Sequence, residues 1–353
     1  MSARELTGEP PLARWRIWAF ALGTAVLLAV AAGYGVHAAN QHAASVASTA
    51  AKAPPTAGLA LSGTPRILYV STAIGADYEH LAEVPDGDPA GSPAFGPLKC
   101  ERSYAGAETL VCLSTEGSLV ATQYAEVYHV ASGTPQLIDK VELPGIPSRA
   151  RVSADGRMVS WTVFVSGDSY NGPNFSTRTG ILDVKTGAVI PDLETFTAFL
   201  GGSAYHAVDI NYWGVTFTSD DNHFYVTMGS AGKTWLMLGD VATRSLHAVV
   251  GNVECPSLSP DGTRIVFKKR VSSSLTAPWR LYVLDLATLK ETPLAETRSV
   301  DDQAAWLGEN TVMYQVPQAG GPGYDIWEVP ADGTGTPKLL IHNGFSPVAV
   351  GEG

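Results

Sequence analysis

The feature that most constrains this chain is a short motif that recurs ahead of an apolar run. Ser259-Pro260-Asp261-Gly262 precedes the run "RIVF", and a weaker copy reads "SADGRMVSW" at 153–161. Asp-Gly is a favoured tight-turn dipeptide, and a β-branched and aromatic run after it is typical of a buried strand. The motif therefore predicts turns of a repeated β unit, and we interpret Asp155 and Asp261 as turn residues and not as catalytic groups.

A second strand of the unit repeats more regularly than the first. It reads "ILDVKTG" at 181–187 and "VLDLATL" at 283–289, and related segments occur six times at steps of 43 to 57 residues. The polar residue before the Val or Leu in each copy is Glu83, His129, Asp183, Asp240, Asp285 and Glu328. Six units of strand, turn and strand predict an all-β fold, a six-bladed β-propeller.

The two ends of the repeat region predict how the ring closes. "RILYVS" at 66–71 resembles the strand after the Asp-Gly turn but lacks a strand before it, and "GFSPVAVG" at 344–351 has the shape of the missing strand. We expect the C-terminal strand to complete the first blade, which hides edges that an open sheet would expose.

These residues support a family resemblance. The Ser259-Pro260-Asp261-Gly262 turn followed by "RIVF" and then "LYVLDLATLK" resembles the TolB-like, WD-related propeller repeat of bacterial envelope proteins. The other copies are less complete: 153–156 reads SADG, 218–221 reads TSDD and 307–310 reads LGEN. The resemblance covers about residues 65–351 and implies a six-bladed propeller. TolB proteins carry an α/β domain before the propeller, so the resemblance is to the propeller alone.

The N-terminus predicts a membrane segment. Residues 17–36 contain no charged side chain, and about 20 apolar residues suffice for a helix to cross a bilayer. Arg14 and Arg16 precede the segment, which favours a cytoplasmic stretch at 1–16 and an extracytoplasmic remainder. The alternative is a cleaved signal peptide with "VHA" at 36–38 as its small-residue site. Residues 37–64, rich in Ala, Ser and Pro, predict a tether to the propeller at 65–353.

Charge and cysteine content narrow the partners. The chain has a formal net charge of −11 at pH 7, so an anionic partner such as nucleic acid is disfavoured. Cys100 and Cys112 flank a segment with a potential turn at 105–108, and export favours a disulfide between them over two buried thiols. Cys255 has no obvious partner, and no cysteine or histidine spacing suggests a metal site or cofactor.

Variable loops of a propeller gather on one face, where binding usually resides. The longest are at 164–180 and 191–213, and neighbouring loops at 270–280 and 317–324 reach the same face. Aromatic and amide side chains in these loops suit contact with a protein, peptide or glycan. The binding-face candidates are Tyr170, Asn171, Asn174, Phe175, Tyr205, His206, Tyr212, Trp213, Trp279, Arg280 and Tyr324.

The sequence thus predicts a membrane-tethered, non-catalytic interaction or sensing module of the cell envelope. No GxSxG or HExxH motif is present. The alternative is a metal-dependent propeller hydrolase or lactonase, in which acidic side chains from separate blades would converge on a cation in the central channel. Three or more carboxylates and amides there would favour it, whereas small and apolar groups would count against it.

Overall fold

The computed structural model describes residues 22, 27, 58–117, 121–131, 133–165 and 176–351. The chain divides into two units, Met1–Ala53 and Pro54–Gly353, and the described strands all belong to the second. None of the helical structure described is long and apolar enough to span a membrane. The predicted segment 17–36, apart from residues 22 and 27, lies outside the described residues, as does 1–16.

Six sheets, which we call blades 1 to 6, follow one another along the chain. Blade 1 contains β1 (Arg66–Ser71), β2 (His80–Pro85), β3 (Ala94–Lys99) and β26 (Gly344–Val350). Blade 2 contains β4 (Arg102–Gly106), β5 (Thr109–Glu116), β6 (Thr122–His129) and β7 (Gln136–Leu143). Blade 3 contains β8 (Ile146–Val152), β9 (Met158–Val165), β10 (Ser176–Asp183) and β11 (Ala188–Ile190).

Blade 4 is the widest of the described sheets. It contains β12 (Thr197–Leu200), β13 (Ser203–Tyr205), β14 (Asn211–Phe217), β15 (His223–Ser230), β16 (Lys233–Asp240) and β17 (Ser245–Gly251). Blade 5 contains β18 (Glu254–Leu258), β19 (Arg264–Arg270), β20 (Trp279–Asp285) and β21 (Glu291–Pro293). Blade 6 contains β22 (Ala305–Leu307), β23 (Thr311–Pro317), β24 (Tyr324–Pro330) and β25 (Lys338–Ile341). The predicted six-bladed propeller is confirmed.

The C-terminal strand closes the ring as predicted. Blade 1 has the order β26-β1-β2-β3, and β26 pairs antiparallel with β1, with Leu68 opposite Val348. The first and last blades also share a hydrophobic cluster, in which Ile67 packs with Met313 and Ile326. Residues from opposite ends of the propeller therefore form one core.

The recurring motif forms the turn from the first to the second strand of a blade. In blade 5 the Asp261 carboxylate accepts hydrogen bonds from the Ser259 hydroxyl (2.5 Å) and the Thr263 amide (3.0 Å). In blade 3 the Asp155 carboxylate accepts the two equivalent hydrogen bonds, from the Ser153 hydroxyl and the Arg157 amide. These carboxylates hold the turn, so the motif forms the blade turn that the sequence predicted.

The insertion predicted at 191–213 mostly widens blade 4. After a short 3-10 helix (Leu193–Thr195), β12 pairs parallel with β17 and β13 pairs with β12. These two strands lie at the outer edge of the sheet, so only the residues after Tyr205 return toward the inner strand β14.

The last residues of the predicted tether belong to the propeller instead. Leu59 and Leu61 are buried in a cluster with Leu81 and Val348, and the Ala60 amide donates to the Glu83 carboxylate (3.0 Å). The predicted tether therefore ends before residue 58 and not at residue 64. Burial of the two leucine side chains contributes about 2 kcal/mol each, which holds this segment on blades 1 and 2.

Cys100 and Cys112 form the predicted disulfide. Cys100 lies just before β4 and Cys112 lies in β5, with their Cα atoms 5.2 Å apart. The hairpin turn at 107–108 brings the two residues together, because β4 and β5 pair antiparallel. Cys255 is a free, buried thiol.

Candidate functional site

A cleft of about 960 Å³ opens on the face where the second strand of each blade ends and the third begins. Its walls come from blades 3, 4 and 5, and it lies on the face predicted to hold the long loops. We define the cleft by six of its lining residues, which are Arg149, Trp213, Trp235, Glu254, Lys268 and Trp279.

Trp279, the first residue of β20, forms one wall. Its indole N–H donates to the Glu254 carboxylate (3.1 Å), and the Lys268 ammonium lies 4.2 Å from the ring centre. A cation over an indole face is an attractive arrangement, so the ring is held from its face and its edge. The indole is only half-buried, which leaves part of it available to a ligand.

Lys268 and Glu254 form a buried charge cluster beneath that ring. The Lys268 ammonium donates to Asp301 (2.6 Å) and lies 3.8 Å from Glu254. Burial acts to lower the pKa of Lys268, but Cys255, Asp301 and Glu254 outweigh it and raise the pKa, so the side chain is a cation. The cleft thus offers fixed charges of both signs beside an indole.

Trp213 faces the cleft from blade 4, with its ring close against Gly229. A Cβ atom on Gly229 would lie 2.7 Å from the indole ring, so only glycine fits there. Close packing on the neighbouring strand fixes the ring orientation, and Trp213 is a rigid part of the wall.

Polar groups at the start of β14 complete the site. The Asp209 carboxylate accepts hydrogen bonds from the Ser230 hydroxyl (2.6 Å) and the Ala231 amide (2.7 Å), and these bonds lower its pKa. The Tyr205 hydroxyl is hydrogen-bonded to the Ser230 hydroxyl (2.9 Å). A network of this kind holds an ionised carboxylate at the rim.

Only some of the predicted binding-face residues lie at the cleft. Trp213 and Trp279 line the cleft, and Tyr205 supports it through Ser230. His206 is exposed but does not line the cleft. Tyr324 packs on Phe345 between blades 6 and 1. The remaining candidates, Tyr170, Asn171, Asn174 and Phe175, lie outside the described residues.

Alternation along the strands explains two further placements. Successive side chains of a strand point to opposite faces. Tyr212 precedes Trp213 and is 2% exposed in the core of blade 4, which corrects its assignment to the surface. Arg280 follows Trp279 and donates to the Leu294 carbonyl (2.9 Å), away from the cleft. Of each adjacent pair, one residue reaches the cleft.

The sequence interpretation missed Arg149, Trp235, Glu254 and Lys268. Arg149 and Glu254 occupy early positions in the inner strands of blades 3 and 5, and Lys268 lies late in the second strand of blade 5. Position in the repeat is the signal that could have found them, since strand ends on one face of the ring converge.

The central channel below the cleft is filled by polar side chains. Arg102 and Arg149 both pair with Asp302, the latter at 2.9 Å from Nε to Oδ1. Arg151 donates to the Ala304 carbonyl (2.6 Å) and the Ser257 hydroxyl (3.1 Å). A cavity of about 20 Å³ remains between these groups.

The channel cavity meets the count that was expected to favour the enzyme alternative, because one carboxylate and two amides, Asp302, Gln303 and Gln315, line it. One carboxylate, Asp302, lines the small channel cavity with three arginines. No group of three or more His, Cys, Asp or Glu side chains suited to a metal occurs in the described part of the chain. Arginines repel a divalent cation, so these side chains do not form the ligand set that the metal-dependent mechanism needs.

The comparisons with known proteins agree on the fold. The chain matches no family model and no curated protein by sequence. TolB from Acinetobacter baumannii is 18% identical, with a TM-score of 0.58 over 82% of this chain and 67% of that chain. A chain of the nidogen–laminin complex is 10% identical, with a TM-score of 0.51 over 81% of this chain and 98% of that one.

A manganese-bound oligogalacturonate lyase also aligns, at 10% identity and a TM-score of 0.45 over 75% of this chain and 76% of that one. Likeness at that level carries no argument about activity. The similarity to TolB shows that this chain has the TolB-like six-bladed propeller fold.

Proposed function

We propose that this propeller is a non-catalytic module that docks a protein partner in the cleft. The observation that carries the proposal is the pair of oriented indoles, Trp213 and Trp279, around the buried Lys268 and Glu254 charges. Aromatic anchors beside fixed charges are typical of binding hot spots. The cleft volume lies within the range of about 300–1,000 Å³ that is typical of ligand pockets. A pocket of this size also has room for several side chains of a partner.

The construction of the cleft supports binding over chemistry. Its buried cation Lys268 is already paired with Glu254 and Asp301, and the Asp209 carboxylate is held by the Ser230 hydroxyl. A rigid, preorganised surface lowers the ordering cost of association. The nidogen–laminin structure supplies a precedent, because that propeller-like chain is part of a protein complex.

We also propose that segment 17–36 anchors the propeller on the outer side of a membrane. Its uncharged 20-residue length and the preceding arginines support this location. The disulfide between Cys100 and Cys112 fits an oxidising compartment. The partner would then be a protein of the cell envelope.

Two matched variants test the docking proposal. Val208 lines the cleft and is 80% exposed, whereas Val189 is 41% exposed on the outermost strand of blade 3. Val208→Arg places a long cation at the cleft rim and should weaken partner binding at least tenfold; Val189→Arg should not change it.

The measurement is chemical cross-linking of the full-length chain in its host membranes, followed by titration of the captured partner against each purified variant. Trp279→Ala should also reduce affinity. Equal affinity of the wild-type chain, Val208→Arg and Trp279→Ala for that partner would contradict docking in the cleft.

A further inference from the structure

The centre of the propeller holds more positive than negative charge. Arg102, Arg149 and Arg151 line the small channel cavity, and Asp302 is the one carboxylate among its lining residues. The side chains of Arg102, Arg149 and Asp302 are 16%, 11% and 8% exposed, and Arg151 as a residue is 5% exposed. Buried charges are costly unless they are paired, so this arrangement leaves cationic charge without compensation.

Of the three arginines, Arg151 has the positive charge that is least neutralised by its neighbours. Its terminal nitrogen donates to two neutral acceptors, Ala304 and Ser257, and its guanidinium lies 4.2 Å from the ring centre of Tyr104. Its buried Nε–H has no hydrogen-bond partner in the described part of the chain. Burial lowers the pKa of Arg151, and Tyr104 and Asp302 offset that effect only in part.

A second donor at the cavity is also without a partner. The hydroxyl of Ser103 is buried and makes no hydrogen bond with the described residues, although serine can rotate its O–H toward any nearby acceptor. A buried donor without an acceptor destabilises the folded state. Two unpaired donors and surplus positive charge around one cavity indicate a missing anionic acceptor.

We propose that the channel binds a monatomic halide, with chloride as the occupant, between the guanidinium groups of Arg151, Arg102 and Arg149 and the hydroxyl of Ser103. The cavity of about 20 Å³ suits an ion of this size, since about 10–15 Å³ holds one water, and it is too small for phosphate or sulfate. The side-chain oxygens of Gln303 and Gln315 also lack partners. A water in place of the ion would donate to them, and the chloride dependence of stability distinguishes these two occupants.

A bound chloride would stabilise the ring at its centre, because the surrounding side chains come from several blades. Arg102 belongs to blade 2, Arg149 and Arg151 to blade 3, and Asp302 precedes blade 6. Ligands that bind the folded state raise its stability with concentration. The consequence is a melting temperature that depends on chloride specifically and not on ionic strength.

The test is thermal unfolding of the full-length chain at constant ionic strength, with potassium gluconate replaced stepwise by potassium chloride. The wild-type melting temperature should rise by several degrees between zero and 200 mM chloride, because the ion binds the folded state and not the unfolded chain. Arg151→Met should abolish the rise. Because that variant risks misfolding, Ser103→Ala serves as a second variant, and it should reduce the rise.

Arg280→Met is the matched control. Arg280 is half-buried and, like Arg151, has an unpartnered Nε and a carbonyl acceptor, but it lies outside the channel, so this variant should keep the chloride response. Cys255→Ser should keep it too, because Cys255 is not among the residues that line the channel cavity. A melting temperature independent of chloride, or a response retained in full by both Arg151→Met and Ser103→Ala, would overturn the proposal.

Discussion

At the scale of single residues, backbone conformation explains the recurring motif. Gly262 has a φ of +70°, in the left-handed region that favours glycine, and Gly156 has a φ of +83° at the equivalent turn of blade 3. Blade 4 has Asp221 there, with a φ of +58°. Aspartate is one of the few other residues that adopt this conformation readily, so the degenerate copy keeps the same turn.

Gly262→Ala tests this conformational requirement. A Cβ atom there would meet no other atom, so the expected loss of about 1 kcal/mol in unfolding free energy comes from backbone strain alone. Gly87 also has open space around its Cβ position but lacks a positive φ, so Gly87→Ala should change stability by less than about 0.5 kcal/mol. Equal effects of the two substitutions in urea titrations would refute the turn assignment.

His223 predicts a pH dependence of stability. Its Nδ1 lies 2.6 Å from the Asp220 carboxylate, and this hydrogen bond raises the pKa of His223 above its ordinary value of 6.5. A raised folded-state pKa contributes stability that is complete below about pH 6.5 and is lost as pH rises through the folded-state pKa. The ring is 40% exposed, so solvent limits the effect to a few tenths of a kcal/mol.

The measurement is the difference in unfolding free energy between the wild-type chain and His223→Gln, from pH 5.5 to pH 8.5. The difference should be largest at the acidic end and shrink toward pH 8.5. His206→Gln is the control, because His206 is exposed and makes no ion pair with the described residues. A difference that grows with pH would contradict the assigned protonation.

At the scale of strands, the sequence predicted the strands that recur from blade to blade. Asp183, Asp240 and Asp285 each end the third strand of a blade, as their common position in the repeat indicated. The added strands β12 and β13 carry no repeat signal, and Phe196 enters the core where a surface loop was expected. Their placement depends on pairing with β17, which a local pattern does not specify.

The sequence predicted on which face of the propeller the cleft lies, but not which side chains line it. Trp213 and Trp279 are aromatic residues near long loops, which single-sequence reasoning can select. Arg149 and Lys268 are far apart in sequence, and the ring geometry brings them to one cavity. Neither charged residue differs in its local sequence from an exposed strand residue, so only its position in the repeat could have identified it.

Closure by β26 gives a prediction about strand pairing. Truncation after Asn343 removes the inner strand of blade 1, including the buried Val348 and Val350, and leaves β1 as an open edge. Burial of those two side chains alone contributes about 4 kcal/mol, a large share of a typical unfolding free energy of 5–15 kcal/mol. The truncated chain should lose cooperative melting or melt at least 10 °C lower.

A peptide of residues 344–353 should restore the melting temperature of the truncated chain, measured by differential scanning fluorimetry. The same peptide with Val348→Asp is the control and should not restore it, since the aspartate would place a charge in the core cluster. Unchanged melting after truncation would show that the ring does not need β26.

At the scale of the whole molecule, the propeller presents two different faces. The short turns, such as 184–187, lie on one face, and the cleft opens on the other. Rigid blades fix the walls of the cleft, while the connections between strands vary in length around it. The TolB-like fold supplies the scaffold, and the cleft side chains of this chain determine what binds there.

The central claim is that a partner contacts the cleft face, and site-specific photocross-linking tests it most directly. Lys233 lines the cleft and is exposed, and Lys185 is exposed on the face with the short turns. A photoreactive amino acid replaces one lysine at a time in the full-length chain in its host cells, and adducts are resolved after irradiation. The account predicts a discrete adduct with one protein from position 233 and none from 185. Adducts from 185 alone, or the same adducts from both positions, would contradict it.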